Sequence, residues 1–214
     1  ELIEMGFNSL YEQSKFGAEQ LVRDAAAYIP ASIVRPAQIV GDSDSGFVAT
    51  FNTLYYPLKL YLKGQLPVIP MSANQKLNMV PVDYVSRLAV RALFDPQAAG
   101  KTFHAVVPAC EQPTAAEMIG AVRDWSRCNL GFDPGTPRFV PASAMAQLGR
   151  QRNLAASNVP KRKSLMQNML ALAPYFCEDR RYDTSNTQSL MDSECPNWHE
   201  YLPRLLEYAV RAGF

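Results

Sequence analysis

The sequence has no excess of either charge and no long apolar run. Its 214 residues carry 21 basic and 20 acidic side chains, which gives a net charge of +1. A chain so balanced has no general affinity for nucleic acid or for an anionic membrane, and we expect it to bind neither. No apolar stretch approaches the roughly 18 residues that span a bilayer, and the first residues do not resemble a signal peptide. We therefore expect no transmembrane segment.

Cysteine and histidine are scarce as well. The cysteines are widely spaced, with no Cys-x-x-Cys pair, at Cys110, Cys128, Cys177 and Cys195. This spacing argues against a zinc site and against a redox dithiol. The two histidines, His104 and His199, are too far apart in sequence to suggest a metal site or a hydrolase triad. A reduced, cytoplasmic protein is the default expectation for such a chain.

What the chain does contain is enough apolar sequence for a packed core, in a pattern that alternates between helix and strand. Apolar residues make up 48% of the sequence, and its length suits one domain or slightly more. Capping residues and apolar periodicity predict helices at residues 10–27, 47–63 (interrupted at Pro57), 83–94 (capped by Asp83) and 114–127, with strands at 31–35, 66–69 and 102–107. An extended apolar loop is predicted at residues 37–41.

The later part of the chain has a different pattern. Residues 139–141 are a short strand candidate, and helices are predicted from residue 142, over residues 163–173 and over residues 201–212. Because strands no longer alternate with helices here, we divide the chain into two parts. Residues 1–127 would form an α/β unit, and residues 128–214 a smaller, mainly helical cap.

A tyrosine and a lysine four residues apart, Tyr11 and Lys15, lie in the first predicted helix. Residues at this spacing share one helix face, and a nearby ammonium lowers the pKa of a phenol, so the pair suits acid–base work near neutral pH. The motif is short enough to arise by chance. The alternative interpretation is a half-buried tyrosine beside a solvated lysine.

Three ordered motifs connect this pair to a known family. They are the helix Tyr-x-x-Ser-Lys-x-x-Ala-Glu ending at Glu19, the segment Val-Arg-Pro-x-x-Ile-x-Gly ending at Gly41, and Val-Pro-Val-Asp-Tyr-Val ending at Val85. Together they resemble the carboxyl-terminal half of an extended short-chain dehydrogenase/reductase. The closest likeness is to the thioester-reductase and fatty-acyl-reductase branch, known as the male sterility type. The segment from Tyr182 to Thr187 is similar to an acyl-reductase motif.

This resemblance implies a fold, a cofactor and a reaction. The fold would be the carboxyl-terminal part of a doubly wound, Rossmann-type α/β sheet with a smaller helical substrate-binding cap. The reaction would be reduction of a carbonyl or of an acyl thioester, on coenzyme A or a carrier protein. The cofactor would be NADP or NAD, which supplies hydride in its reduced form, with NADP favoured. No metal is implied, and the oligomeric state stays open.

Residue roles follow from the same resemblance. Tyr11 would donate a proton to the carbonyl oxygen, and Lys15 would lower the Tyr11 pKa and bind the nicotinamide ribose. The wall beside the nicotinamide would be formed, mainly through backbone groups, by Pro36, Ala37, Gln38 and Ile39. Asp83 would cap its helix and order the rim of the site.

The sequence also departs from the family pattern. Its 11 glycines include no Gly-x-x-Gly-x-x-Gly turn of the kind that binds a dinucleotide pyrophosphate. A catalytic Ser or Thr upstream of Tyr11 is also missing, and Ser9 is too close to Tyr11 to replace it. We therefore expect the chain to be a fragment that lacks the cofactor half and is inactive alone. Two alternatives remain, a nucleotide-sugar epimerase or dehydratase with the same pair, and a catalytically silent interaction module.

Overall fold

The protein alternates helices and short strands over the residues that the computed structural model describes, which are 6–7, 9–51, 54–141 and 181–214. The helices are α1 (Leu10–Ala25), α2 (Tyr55–Leu62), α3 (Val82–Phe94), α4 (Ala115–Leu130), α5 (Ser185–Leu190) and α6 (Trp198–Arg211), with a 3-10 turn at Pro96–Ala98. The strands are β1 (Ile33–Pro36), β2 (Gln38–Val40), β3 (Val68–Ile69), β4 (Met79–Pro81), β5 (Thr102–Ala105) and β6 (Arg138–Phe139).

The strands form parallel pairs. Strand β1 pairs with β5, with Ile33 opposite Thr102; β2 pairs with β4, with Gln38 opposite Met79; and β3 pairs with β6. Parallel neighbours require crossover connections, and each of these connections includes at least one helix. The predicted α/β class with a parallel, Rossmann-type arrangement is confirmed.

Side-chain caps set several helix boundaries where the sequence predicted them. The Ser9 hydroxyl accepts a hydrogen bond from the Glu12 N–H at 3.2 Å at the start of α1. Thr114 and Glu117 form a complete capping box at the start of α4. That helix ends at Gly131, whose φ of 63° is the left-handed conformation that glycine adopts without steric cost. These contacts satisfy amide groups that otherwise lack partners at helix ends.

Four predicted elements differ from the structure in type or in bounds. Pro57 does not interrupt α2 but lies in its first turn, where a missing N–H breaks no helical hydrogen bond, and residues 47–51 are not helical. The extended loop predicted at residues 37–41 is largely a strand, β2, paired with β4. A predicted strand at 139–141 is observed one residue earlier as β6, and the last predicted helix begins at Trp198.

Among the residues that the structure describes, two groups of buried side chains form the core. The first, called cluster 1, joins β2, α2, α4 and α6, and its most buried members include Tyr61, Val122, Tyr201 and Leu206. The second, cluster 2, packs α3 against β5 through Tyr84, Leu88 and Phe103. Helix α6 therefore shares one core with elements 60 or more residues earlier in the chain.

Side chains of α5 bind the outer edge of β5. The carbonyls of Lys101 and Ala105 face β1, since they accept from the N–H groups of Ile33 and Ala37. The alternating carbonyls of Thr102 and His104 point to the other edge. There they accept hydrogen bonds from the Asn186 amide at 3.0 Å and the Thr187 hydroxyl at 2.9 Å. The segment that resembles an acyl-reductase motif thus covers a sheet edge.

The remaining expectations concern the later helices, the division into two parts and a membrane span. The helices predicted from residue 142 and over residues 163–173 lie outside the described residues. The division into residues 1–127 and 128–214 stays a proposal. Within the described ranges, none of the helices combines the length and apolarity that a membrane span requires.

Candidate active site

Tyr11 and Lys15 lie together on one face of α1, as their spacing predicted. The Lys15 ammonium is 5.7 Å from the centre of the Tyr11 ring, within the range of a cation–π contact. The Tyr11 side chain is 63% exposed, so its hydroxyl is accessible to a ligand. Helix capping by Ser9, two residues before Tyr11, fixes the turn that carries the phenol.

Glu19 continues the same face of the helix and attaches it to the strands. Its carboxylate accepts from the Arg35 Nε at 2.9 Å and also from the Arg35 Nη2. Arg23 donates both to Glu19, at 2.8 Å, and to the Thr102 hydroxyl, at 3.2 Å. The hydrogen bond from Arg35 is the main cause that holds the pKa of the Glu19 carboxyl below its usual value, with Arg23 assisting.

These contacts fix the direction of α1 and the position of the pair. Glu19 reaches Arg35 near the end of β1, whereas Arg23 reaches Thr102, which is opposite Ile33 at the start of β1. Helix and strand therefore run antiparallel. At about 1.5 Å of rise per residue, Lys15 is about 6 Å and Tyr11 about 12 Å further towards the carboxyl end of β1. Ligands of open α/β sheets bind at that end.

Pro36, Ala37, Gln38 and Ile39 follow directly at the carboxyl end of β1 and the start of β2. Two of the backbone donors in this segment are already used: the Ala37 N–H donates to the Ala105 carbonyl at 2.9 Å, and the Gln38 N–H to the Asn78 carbonyl at 3.2 Å. These N–H groups hold the segment between β5 and β4. The predicted backbone contacts to a nicotinamide therefore cannot come from these two donors.

Asp83 has a different role from the one predicted. The residue at the N-cap of α3 is Pro81, with no side-chain cap, so the expectation that Asp83 caps its helix is wrong. The Asp83 carboxylate instead accepts from the N–H and the hydroxyl of Ser43, each at 2.9 Å, and from Arg87 at 3.1 Å. It thereby ties the loop after β2 to α3. That Asp83 orders the rim of the site stays a prediction.

Helix α6 holds the other side of that loop. The Arg204 guanidinium donates to the Ser43 carbonyl at 2.8 Å, and the Gly41 N–H donates to the hydroxyl of buried Tyr55 at 3.1 Å. An added Cβ on Gly46, which has a φ of 70°, would lie 2.2 Å from the Arg204 carbonyl oxygen. The loop therefore fits closely between α3, α2 and α6.

The sequence motifs contained Glu19 and Arg35, but the ion pair between them was not predicted. Their opposite charges in two motifs that join neighbouring elements would have been a usable signal. Ser43 and Arg204 were also missed, and they are 161 residues apart, with no local signal that connects them.

Among the described residues, no group of His, Cys, Asp and Glu could hold a metal ion. The His104 ring contacts the Asp183 carbonyl at 2.9 Å.

Residues 2–89 match the protein family described as male sterility protein. The matched range contains Tyr11, Lys15, the segment at residues 36–39 and Asp83. The L-2-aminoadipate reductase large subunit of Candida glabrata is 38% identical over 94 residues, which cover 43% of this chain and 7% of that protein. A nonribosomal peptide synthetase of Aspergillus flavus is 34% identical over 127 residues, which cover 58% of this chain and 12% of that protein.

A solved structure shares most of the fold. The terminal R domain from the myxalamid PKS-NRPS biosynthetic pathway is 27% identical, with a TM-score of 0.69, over 95% of this chain and 50% of that chain. The chain thus spans about half of that domain and a small part of the curated relatives. The match over residues 2–89, the relatives and the shared fold together confirm the resemblance to the male sterility family that the motifs indicated.

Proposed function

We propose that this chain carries the proton-transfer half of the active site of a nicotinamide-dependent reductase of acyl thioesters or carbonyls. One observation carries the proposal. The Glu19–Arg35–Arg23 network sets α1 antiparallel to β1, and this places Tyr11 and Lys15 together beyond the carboxyl end of that strand. An exposed phenol at that end can meet a substrate carbonyl.

In this reaction the protein supplies a proton and electrostatic stabilisation. A bound nicotinamide would deliver hydride to the carbonyl carbon. Negative charge then develops on the oxygen, and the Tyr11 hydroxyl donates its proton there. The Lys15 ammonium stabilises the phenolate that remains, and it would bind a hydroxyl of the nicotinamide ribose. With a thioester, loss of the thiol leaves an aldehyde.

The residues at 36–39 suit one wall of a nicotinamide site. Strand hydrogen bonds at Ala37 and Gln38 hold the segment in place. Pro36 and Ile39 are apolar residues that would contact a planar ring. The family resemblance favours NADPH over NADH. A ratio of kcat/KM values for the two cofactors measures this preference.

We further propose that a cofactor-binding half completes the sheet beside β1. In the described parts of the chain, β1 pairs only with β5, and α1 has no buried side chain. Several large apolar side chains of α1 are exposed, Leu10 and Leu21 by 70% and 72%. Such a surface suits coverage by further sheet and helix, which would supply the pyrophosphate site.

The proposed substrate is an acyl group held as a thioester on coenzyme A or a carrier protein. The relatedness to a nonribosomal peptide synthetase and to an R domain supports this class. We also propose a cytoplasmic location, which the unpaired thiols of Cys110, Cys128 and Cys195 suit.

The test is the substitution Tyr11→Phe in the complete polypeptide. Loss of the proton donor should lower kcat for thioester-dependent NADPH oxidation by about 10²- to 10⁴-fold. The dissociation constant for NADPH should change less than about twofold. Tyr28→Phe, at a tyrosine that is 90% exposed just after α1, is the matched control and should leave kcat unchanged.

The outcomes separate the alternatives. Unchanged turnover in Tyr11→Phe removes Tyr11 from the mechanism. Turnover of a nucleotide sugar, with no reduction of thioesters or aldehydes, would assign the site to an epimerase or dehydratase. Absence of any turnover with cofactor and a broad substrate panel would identify a silent interaction module.

A further inference from the structure

An apolar cavity lies between α2, β3 and α4, separate from the Tyr11–Lys15 pair. It has a volume of about 90 Å³. One water-sized group needs about 10–15 Å³ of such a cavity, so there is room for several methylenes. Its walls include Leu58, Met71, Leu77 and Met118.

The described side chains of the lining offer no free hydrogen-bond partner to a polar ligand. The described side chains around the cavity are apolar, apart from Tyr61, and the Tyr61 hydroxyl already donates to the Gly135 carbonyl at 2.8 Å. A sugar or phosphate placed here would lose its water partners and gain none, which is strongly unfavourable. A hydrocarbon loses nothing and gains dispersion contacts. Met71 and Met118 have flexible thioether chains that adapt to ligands of different shape.

The cavity is next to the segment proposed to face the nicotinamide. Leu77, one of its walls, donates its N–H to the Pro113 carbonyl at 2.8 Å and is thereby held against the start of α4. The next residue, Asn78, accepts the Gln38 N–H at 3.2 Å. Gln38 belongs to the 36–39 segment. Only one residue therefore separates the cavity wall from the backbone of the proposed nicotinamide wall.

We propose that this cavity binds the hydrocarbon portion of the substrate, and that it sets the enzyme's preference for the length of an aliphatic acyl chain. The inference rests on the proposed reductase function. The substrate would be a thioester or an aldehyde with an unbranched apolar chain.

The experiment measures kcat/KM of the complete polypeptide for straight-chain acyl N-acetylcysteamine thioesters from acetyl to dodecanoyl. Each added methylene should raise kcat/KM by about three- to fourfold until the cavity is full. Met71→Trp and Ile119→Trp, at half-buried positions on different walls, should remove that rise while acetyl turnover changes less than twofold. Met118→Ala should move the optimum to longer chains by one or two methylenes.

Asp124→Trp, on the exposed face of α4, is the matched control and should keep the wild-type profile. A chain-length profile that stays unchanged in both tryptophan variants would overturn the proposal. Calorimetric titration with 1-octanol separates this result from a failure of the reductase function. Octanol binding that the two variants abolish supports the cavity even in a protein without thioester turnover, and no binding to the wild type contradicts it.

Discussion

Gly46 is the residue whose replacement the structure tolerates least well in the loop after β2. Its φ of 70° is unfavourable for any side chain with a Cβ, and that Cβ would overlap the Arg204 carbonyl. Since Arg204 belongs to α6, the loop and the helix would have to separate. The hydrogen bond from Arg204 to the Ser43 carbonyl would then be lost.

We expect Gly46→Ala to destabilise the protein by about 2–4 kcal/mol, through backbone strain and steric overlap combined. Equilibrium unfolding in urea measures the change. Gly120→Ala is the control, because an added Cβ in this turn of α4 meets no atom within 4 Å. It should be neutral or stabilising by up to about 1 kcal/mol. Equal stability of the two variants would mean that the loop does not pack against α6 as described.

At the scale of elements, α1 is attached to the sheet by charge more than by apolar burial. None of its side chains is buried, whereas Glu19 binds Arg35 and Arg23 across the helix–strand contact. Partly exposed ion pairs contribute little each, on the order of 0.2–1 kcal/mol. Their geometric effect is larger, because they set the direction in which Tyr11 and Lys15 point.

The attachment of α1 should therefore depend on pH. The folded pKa of Glu19 lies below its usual value of 4.5, so its contribution is fully present above pH 4.5 and is lost as the pH falls through the folded pKa. Glu19→Gln should lower stability by about 1 kcal/mol at pH 7. The difference from the wild type should shrink as the pH falls below 4.5 and through the folded pKa. Urea unfolding at pH 7 and at a series of lower pH values tests this, and a difference independent of pH would contradict it.

The same substitution should affect catalysis in the complete polypeptide. A tilt of α1 moves Tyr11 relative to the 36–39 segment, and a misplacement of about 1 Å can cost about 100-fold in rate. We expect Glu19→Gln to lower kcat by about tenfold or more. Glu12→Gln, in the first turn of the same helix, is the comparison for a change of charge that leaves the Arg35 contact intact. A kcat unchanged in Glu19→Gln would show that this network does not position the pair.

Elements with local signals could be predicted, and those that depend on distant contacts could not. The Thr114 capping box and apolar periodicity predicted α4 to within a few residues, and the Tyr11–Lys15 spacing placed both residues on one helix face. Strand β2 was missed because its pairing with β4 is about 40 residues away in sequence. Asp83 was misassigned for the same reason: a carboxylate in a first turn is typical of a cap, and only the fold brings Ser43 to it.

For the molecule as a whole, cluster 1 joins elements that are far apart in sequence, from Val40 in β2 to Leu206 in α6. Val40, Val122 and Leu206 belong to it, and Leu206 is fully buried. The hydroxyl of Tyr201 donates to the Met79 carbonyl at 3.3 Å, which adds a link from α6 to β4, and burial raises the pKa of this phenol. Loss of α6 packing should therefore also destabilise α2 and α4.

Leu206→Ala should destabilise the protein by about 2–5 kcal/mol, through lost burial and the cavity left behind. Val210→Ala, at a position 37% exposed on the same helix, should cost less than about 1 kcal/mol. Hydrogen exchange should report faster opening of α2 and α4 in Leu206→Ala. Faster exchange confined to α6 would contradict a core shared between these helices.

The hydrogen bonds from Asn186 and Thr187 to β5 limit how this sheet can be extended. They occupy the outward carbonyls at Thr102 and His104, so a new strand cannot add there without displacing α5. Growth of the β1–β5 sheet is thereby restricted to one direction. Any further strand, from the same polypeptide or from another, enters beside β1 and below α1. A strand that adds beside β1 would therefore extend the sheet and complete the pocket around Tyr11 in one step.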